Sequence, residues 1–305
     1  MVDATRAGDR GAVARLLSLV EAGGPAAVEA LARLYPYTGR AYTIGITGPP
    51  GAGKSTLTDR VVGRIRREGD EVGVLAVDPT SPFTGGAILG DRIRMQDHST
   101  DTGVFIRSMA SRGQLGGLAL ATPHAVRVLD AAGKPWVIIE TVGVGQVEVA
   151  VAAAADTTVV VVNPGWGDAV QANKAGLLEI ADVFAVNKAD RPGRDDTVRD
   201  LRQMLEWSSA RTWTPPVVET VATSGTGTED LWEAITAHRA HLERDGELTA
   251  RRAARLRDEI RALVAERLSG RAETICTGPR FEELVGRVVT RDLDPHTAAD
   301  ALLNQ

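Results

Sequence analysis

One stretch decides the fold: Gly48-Pro49-Pro50-Gly51-Ala52-Gly53-Lys54-Ser55-Thr56. It fits the pattern GxxxxGK[ST], follows the apolar run 42–47 and opens a helical pattern near Ser55. Its glycines let backbone N–H groups turn inward around an anion, and the helix start adds about +0.5 of charge. Lys54 can reach the terminal phosphates of a nucleotide, and the Ser55 hydroxyl is placed for a bridging Mg²⁺. A glycine-rich turn that merely precedes a helix is the alternative, but the strand and helix around the motif favour a phosphate-binding loop.

Short apolar runs alternate with helical patterns across residues 41–243, which we assign to one nucleotide-binding domain. Several of these runs are apolar throughout, as expected of parallel strands that are buried on both faces. The sequence therefore predicts an α/β fold with a doubly wound, mostly parallel sheet of P-loop NTPase type. Polar motifs follow the strands at their carboxyl ends, where such sheets bind ligands. The predicted strands are 42–47, 71–77, 104–107, 136–140, 157–163, 183–187 and 217–221.

Helical extensions flank this domain at residues 1–40 and 244–305. The first predicts two short helices that cover a face or edge of the sheet. The second carries an apolar stripe, which needs either the parent domain or a second subunit to bury it, and we favour a dimerisation arm. The arginines at its start are interpreted as a solvated helix face. The stripe consists of Leu256, Ile260, Leu263 and Val264, and the arginines are Arg251, Arg252 and Arg255.

Composition excludes several classes of protein. The 305 residues carry a net charge of -5 without a basic block, which argues against a nucleic-acid partner. The single cysteine, Cys276, excludes an internal disulfide framework and a multi-cysteine zinc site. The most apolar run, 149–164, contains Asp156 and is too short to span a bilayer, and the first residues match no secretory signal. We therefore expect a cytoplasmic protein that does not associate with a membrane.

A base-recognition motif follows the sixth predicted strand. Asn187-Lys188-Ala189-Asp190 matches the NKxD element of GTPases, in which the aspartate accepts hydrogen bonds from guanine N1 and N2. Adenine cannot supply those donors, so the motif predicts specificity for GTP and GDP. A simple turn is the alternative, and the position after a strand downstream of the phosphate loop argues against it. Ser224 and Gly225, after the next strand, belong to a weaker pattern that contacts the base in such proteins.

Acidic residues at other strand ends are candidates for metal binding and catalysis. Glu140 ends an apolar strand and is placed to hold Mg²⁺ through water, while Gly143 lets the backbone move towards a γ-phosphate. Most GTPases have aspartate at the position of Glu140. Asp78 ends the second strand, and Asp91 follows a glycine-rich loop, so either can contact Mg²⁺ or the attacking water. A helix-capping aspartate is the alternative for both.

Together these residues resemble the MeaB/ArgK GTPases, which accompany adenosylcobalamin-dependent methylmalonyl-CoA mutase and have the human relative MMAA. The resemblance covers the whole nucleotide-binding domain, including the glutamate at residue 140. The C-terminal segment matches less distinctly. The matching segments are 48–56, 78–82, 90–94, 108–113, 140–146, 164–168 with Gln171 and Lys174, and 187–190.

The resemblance implies a GTP-hydrolysing chaperone of the mutase that gates cofactor loading and reactivation. It also implies a homodimer, assigns Lys54 and Ser55 to phosphate and magnesium, and places Asp78, Asp91 and Glu140 around the metal and the water. Segment 164–182 becomes an additional switch in which Lys174 forms ion pairs. Val144 stands where Ras-like enzymes have glutamine, so we expect slow hydrolysis that the partner stimulates.

Two other functions are compatible with a phosphate loop. A small-molecule kinase would use ATP, which Asp190 argues against. A metal-delivery GTPase would need clustered His and Cys ligands. Only His238 and His241 fall at helical spacing, and we interpret these two as ordinary surface residues. The five histidines, which are otherwise scattered, are His98, His124, His238, His241 and His296.

Overall fold

The computed structural model describes residues 1–79, 98, 100–111, 115–141, 153–165, 176, 178–207 and 212–304. They form two compact units, Met1–Ala253 and Ala254–Gln305. The domain boundaries expected at 40/41 and 243/244 stay predictions. Within the described ranges, no helix is long and apolar enough to cross a membrane.

Seven parallel strands form the sheet of the first unit, which confirms the predicted doubly wound architecture. Their spatial order is β3-β2-β4-β1-β5-β6-β7, and every neighbouring pair is parallel. The first strand is thus central, and the chain winds outwards from it to both edges. The strands are β1 (Tyr42–Thr47), β2 (Val72–Pro79), β3 (Val104–Ser111), β4 (Trp136–Thr141), β5 (Thr157–Val162), β6 (Val183–Asn187) and β7 (Val217–Thr220).

Helices cover both faces of the sheet in the first unit. They are α1 (Val2–Arg6), α2 (Arg10–Ala22), α3 (Pro25–Leu34), α4 (Lys54–Arg67), α5 (Leu115–Ala131), α6 (Arg194–Trp207) and α7 (Thr228–Arg244), with a short 3₁₀ turn at Tyr35–Tyr37. α8 (Glu247–Ile275) begins in the first unit. In the second unit α9 (Pro279–Val289) and α10 (Pro295–Leu303) pack together, with Leu284 and Ala298 buried.

Side chains alternate between two apolar layers because successive strand residues point to opposite faces. Ile44 and Ile46 of β1 pack with Leu57 and Val61 of α4 in one core cluster. Val137 of β4 points to the other face and joins a cluster with α5 and the N-terminal helices. Burial on both faces explains why these strands read as continuous apolar runs.

β3 is longer than its sequence predicts. The expected strand ends at residue 107, where the apolar run gives way to polar residues, whereas β3 pairs with β2 as far as Ser111. The ladder of a parallel pair is made by backbone N–H and C=O groups, so the pairing can continue past the point where the apolar side chains end. The chain beside the carboxyl end of β2 is therefore held by main-chain contacts.

The segment that enters β1 is fixed by charges from two helices. The Asp130 carboxylate of α5 accepts hydrogen bonds from the N–H groups of Gly39 and Ala41 at 2.5 and 3.0 Å. Arg252 of α8 donates to the carbonyls of the same two residues at 2.9 and 2.7 Å. It also pairs at 2.6 Å with Asp156, whose side chain is 1% exposed. The interpretation of Arg252 as part of a solvated helix face is therefore wrong, because its charge compensates a buried carboxylate.

His238 of α7 is fully buried at the same, amino-terminal edge of the sheet, so its interpretation as a surface histidine is also wrong. Its Nδ1 lies 2.9 Å from the Thr157 hydroxyl, and its Nε2 lies 3.3 Å from the Asp182 carboxylate. Trp213 packs against the ring at an interplanar angle of 51°, with the ring centroids 5.0 Å apart. Burial lowers the pKa of the imidazole below its ordinary value, although the Asp182 charge opposes the shift.

Acid should destabilise the protein partly through His238. The unfolded chain takes up a proton on this residue as the pH falls through about 6.5, whereas the folded imidazole stays neutral to lower pH. The stabilising contribution is therefore present above that pH and is lost below it. The fall in melting temperature between about pH 7.5 and about pH 5.5 should be smaller in His238→Gln than in the parent. The exposed His296→Gln serves as the control, and equal falls in all three proteins would contradict the expectation.

Candidate functional site

The phosphate loop connects β1 to α4 and has a backbone that only glycine permits at two positions. Gly48 has a φ of +138°, and a Cβ added there would lie 2.0 Å from the carbonyl oxygen of Val161 in β5. Gly53 has a φ of +92°, and its Cβ would lie 2.3 Å from the Asn187 amide nitrogen. The loop is thus packed against both β5 and the start of the base motif.

Lys54 opens α4 with its ammonium group held inside the loop. Its Nζ donates to the carbonyls of Gly48 and Pro49 at 2.7 and 3.0 Å. The side chain is buried at 6% exposure. A cation that is buried among backbone dipoles at a helix start strengthens the attraction of the loop for an anion.

Ser55 and Glu140 meet at the carboxyl ends of β1 and β4. The Ser55 hydroxyl donates to the Glu140 carboxylate at 2.5 Å, and both side chains are buried. The pairing of Ile46 with Glu140 sets this approach. A hydroxyl and a carboxylate are hard oxygen donors of the type that Mg²⁺ prefers, so this pair fits that ion. The described residues hold no cluster of three His, Cys, Asp or Glu suited to a metal, and Mg²⁺ beside phosphates needs none because it keeps waters and phosphate oxygens as ligands.

Asp91, Gly143 and Lys174 lie outside the described residues, as does most of segment 164–182. The backbone of Asp78 pairs with Ala110 of β3, one position before the end of the β2–β3 pairing. The proposed roles of these residues stay predictions.

Asn187 joins the phosphate loop to the base motif. Its Nδ2 donates to the Ala52 carbonyl at 2.8 Å, and its Oδ1 accepts from the Thr220 hydroxyl at 3.2 Å and from the Ala222 N–H at 3.0 Å. The side chain is buried at 2% exposure. Asn187, the first residue of the predicted motif, therefore has a structural role. Its side chain connects the end of β6 with β7 and the phosphate loop.

The next residues of the motif form a turn at the end of β6. Lys188 has a φ of +59°, which is uncommon for a residue with a side chain. Its ammonium group donates to the Gly51 carbonyl at 2.6 Å and so lies across the phosphate loop. Asp190 is exposed in the same turn, which is closed by a bond from the Arg191 N–H to the Lys188 carbonyl at 2.9 Å. Its carboxylate is therefore accessible to a base.

The loop after β7 brings Ser224 and Gly225 to the same end of the sheet. Their N–H groups donate to the Val221 carbonyl at 3.1 and 3.0 Å, which closes a tight turn. Both amides are thus engaged within the protein, and a contact of these two residues with a base stays a prediction. Arg60 of α4 also bonds to this loop. No pattern in the sequence predicts this contact, because an arginine on an amphipathic helix resembles any solvated residue.

Comparison with known proteins gives consistent matches along the chain. The family model described as "Methylmalonyl Co-A mutase-associated GTPase MeaB" matches residues 13–276. A putative GTPase of Pyrococcus abyssi is 53% identical over 100% of this chain and 95% of that protein. The mitochondrial "Methylmalonic aciduria type A homolog" of Mus musculus is 34% identical over 86% of this chain and 65% of that protein. A crystal structure of "LAO/AO transport system kinase" has a TM-score of 0.72 at 27% identity and covers 99% of this chain and 95% of that chain.

Replacing Glu140 should separate nucleotide binding from hydrolysis. In Glu140→Gln the oxygen that accepts from Ser55 remains, but the negative charge beside the expected metal is lost. We expect kcat for GTP to fall about 10- to 100-fold while GDP affinity changes less than about threefold. The exposed Glu233→Gln is the matched control, and steady-state phosphate release with GDP titration measures both quantities. A parental kcat in Glu140→Gln would remove this residue from the catalytic candidates.

Proposed function

Because this chain belongs to the MeaB family of methylmalonyl-CoA mutase-associated GTPases, we propose that it is a GTP-dependent chaperone of adenosylcobalamin-dependent methylmalonyl-CoA mutase. The chain is a GTPase and binds guanine nucleotides, as the family and its relatives do. In the proposed role, GTP hydrolysis in the cytoplasm gates loading of the cobalamin cofactor and replacement of inactivated cofactor. The description of the family and the name of the mouse relative support the link to the mutase.

The observation that carries the catalytic part of the proposal is the buried contact between Ser55 and Glu140. These two residues would hold Mg²⁺, Ser55 directly and Glu140 through water. When bound, the ion neutralises charge on the β- and γ-phosphates. Lys54 adds a second positive charge at the loop, and the N–H groups at the start of α4 orient the phosphates. The surrounding burial keeps these charges effective because little water screens them.

The base end of the proposed site supports GTP over ATP. Asp190 is exposed in a turn whose neighbour, Lys188, lies across the phosphate loop. A carboxylate there can accept hydrogen bonds from the N1 and N2 donors of guanine, a pair of donors that adenine does not offer. Asn187 fixes the turn through three hydrogen bonds. The geometry therefore favours the GTPase over the small-molecule kinase.

The test of the proposal is the GTP hydrolysis rate of the full-length protein, alone and with methylmalonyl-CoA mutase from the same cell. We expect slow turnover alone and at least about tenfold stimulation by the mutase, because we expect the partner to act through the predicted switch segments. ATP is the parallel substrate and should not respond. An unrelated adenosylcobalamin-dependent mutase is the control for specificity.

Two outcomes would contradict the proposal. GTP turnover that is indifferent to the mutase would leave a GTPase with another client. Efficient ATP turnover without a partner would favour the kinase. Cofactor transfer gives a second measurement: GTP hydrolysis should be required for cobalamin exchange on the mutase, which its absorbance spectrum reports.

We propose further that the protein is a homodimer whose subunits associate through α8. Four apolar residues recur at every fourth position on this helix and are exposed in the single chain: Leu256 at 37%, Ile260 at 61%, Val264 at 51% and Leu268 at 56%. Residues four apart share one helix face, so they form a continuous apolar stripe. A second copy of the same stripe provides a matching surface, and a two-fold axis would pair them.

Charge placed on the stripe should separate the subunits. The double variant Ile260→Lys with Val264→Lys would bury unpaired ammonium groups at the interface, which should weaken the dimer at least about 100-fold. Ala262→Lys places the same charge on the opposite face of α8 and is the control. Sedimentation velocity over a range of protein concentrations measures the proportions of dimer and monomer. A parent that is monomeric at all concentrations, or a double variant that stays dimeric, would contradict the proposed arm.

A further inference from the structure

Arg60 connects the helix of the phosphate loop to the loop that follows β7. It lies on α4, less than two turns beyond Lys54. Its Nε donates to the Ala222 carbonyl at 2.8 Å, and its Nη2 donates to the Thr223 carbonyl at 3.0 Å. One guanidinium thus holds two successive peptide groups through donors whose directions are fixed in one plane.

These bonds also fix the direction of a backbone donor. The Ala222 carbonyl and the Thr223 N–H belong to one planar trans peptide, in which the two groups point in opposite directions. Because the carbonyl points to Arg60 on α4, the Thr223 N–H points away from that helix. The neighbouring amides are engaged: Ala222 donates to Asn187, and those of Ser224 and Gly225 donate to Val221. Across the described residues, the Thr223 N–H donates to no protein acceptor.

Open space lies beside the loop on the side of α4. A cavity of about 450 Å³ lies beside Arg60 and is lined by Arg67, Ser224, Gly225 and the start of α7. Arg64 and Arg67 on the same helix face bond to the Glu229 carboxylate rather than to the loop. Without the guanidinium, the 222–223 peptide would lose the charge-assisted bond that sets its direction.

We propose that Arg60 is a positioning residue for base recognition, which holds the 222–223 peptide so that the Thr223 N–H faces the 6-oxo group of guanine. The inference rests on the proposed placement of the base beside the turn of Asp190. Asp190 accepts from the N1 and N2 donors of guanine, whereas the oxygen at position 6 needs a donor. Adenine carries an amino group at position 6, which an N–H repels. Arg60 therefore contributes to specificity without touching the nucleotide.

The test uses Arg60→Gln, with Arg67→Gln as the matched control. Arg67 lies two turns further along α4, lines the same cavity and bonds to Glu229 alone among the described residues. The substrates are GTP, inosine triphosphate, which lacks the 2-amino group, and 2-aminopurine riboside triphosphate, which lacks the 6-oxo group together with the N1 hydrogen. KM and kcat are measured for each, and thermal melting verifies folding.

Arg60→Gln should raise KM for GTP about tenfold, because a charge-assisted contact that orders the donor is lost. The kcat should change less than about twofold, since Lys54, Ser55 and Glu140 are unaltered. Preference for GTP over the 2-aminopurine analogue should fall by the same factor, while preference over inosine triphosphate is retained. Arg60→Lys keeps the positive charge but lacks the planar pair of donors, so it should recover part of the loss. Arg67→Gln should match the parent.

Three results would overturn the inference. Arg60→Gln could behave like Arg67→Gln, or lose discrimination against both analogues equally, or lose kcat together with KM, as a general structural defect would. A separate variant, Asp190→Asn, tests whether the base lies beside Asp190 at all. If it does, this variant should prefer xanthosine triphosphate to GTP. If Asp190→Asn keeps its preference for GTP, the proposed base placement fails and the inference falls with it. If Asp190→Asn switches while Arg60→Gln keeps its discrimination, only the role of Arg60 is overturned.

Discussion

The buried amide of Asn187 is the interaction on which the nucleotide edge of the sheet depends. One side chain bonds to the phosphate loop, to the end of β7 and to the loop beyond it. Leaving one of these buried groups unpaired would cost about 1–3 kcal/mol, so the spacing between the two loops is strongly held. Gly53 belongs to the same constraint because a Cβ at that position would occupy the place of the amide. The spacing between the phosphate loop and the predicted base motif is therefore set by contacts within the protein.

α4 extends this constraint along one rigid element. Lys54 and Ser55 at its start face the phosphate loop and Glu140, and Arg60 further along bonds to the loop after β7. A helix changes its length little, so groups at both ends of the proposed nucleotide site share one support. Apolar residues of the same helix, including Leu57 and Val61, are fully buried against β1 and its neighbours. The packing of the core thus determines the precision of the polar site.

The sequence predicted the parts of the molecule in which local pattern and tertiary structure agree. β1 and β6 have the expected bounds, since apolar runs that end in polar motifs mark the strand and its carboxyl end together. β3 is longer than expected because pairing with β2 depends on the backbone, which leaves no signal in the side chains. Arg252, His238 and Arg60 escaped prediction for a different reason. Their partners are 96, 81 and more than 160 residues away in the chain, and a residue type gives no information about a distant partner.

The contacts of Arg252 with the segment that enters β1 affect where the catalytic unit ends. Arg252 lies six positions into α8, yet it neutralises Asp156 and bonds to Gly39 and Ala41 of the first unit. A shortened chain that stops at the turn after α7 would lose this guanidinium and bury an uncompensated carboxylate at the sheet edge. A chain that keeps the first two turns of α8 would retain it. The minimal autonomous GTPase is therefore longer than its nucleotide motifs indicate, and the base of the helix that carries the proposed dimer stripe is an integral part of it.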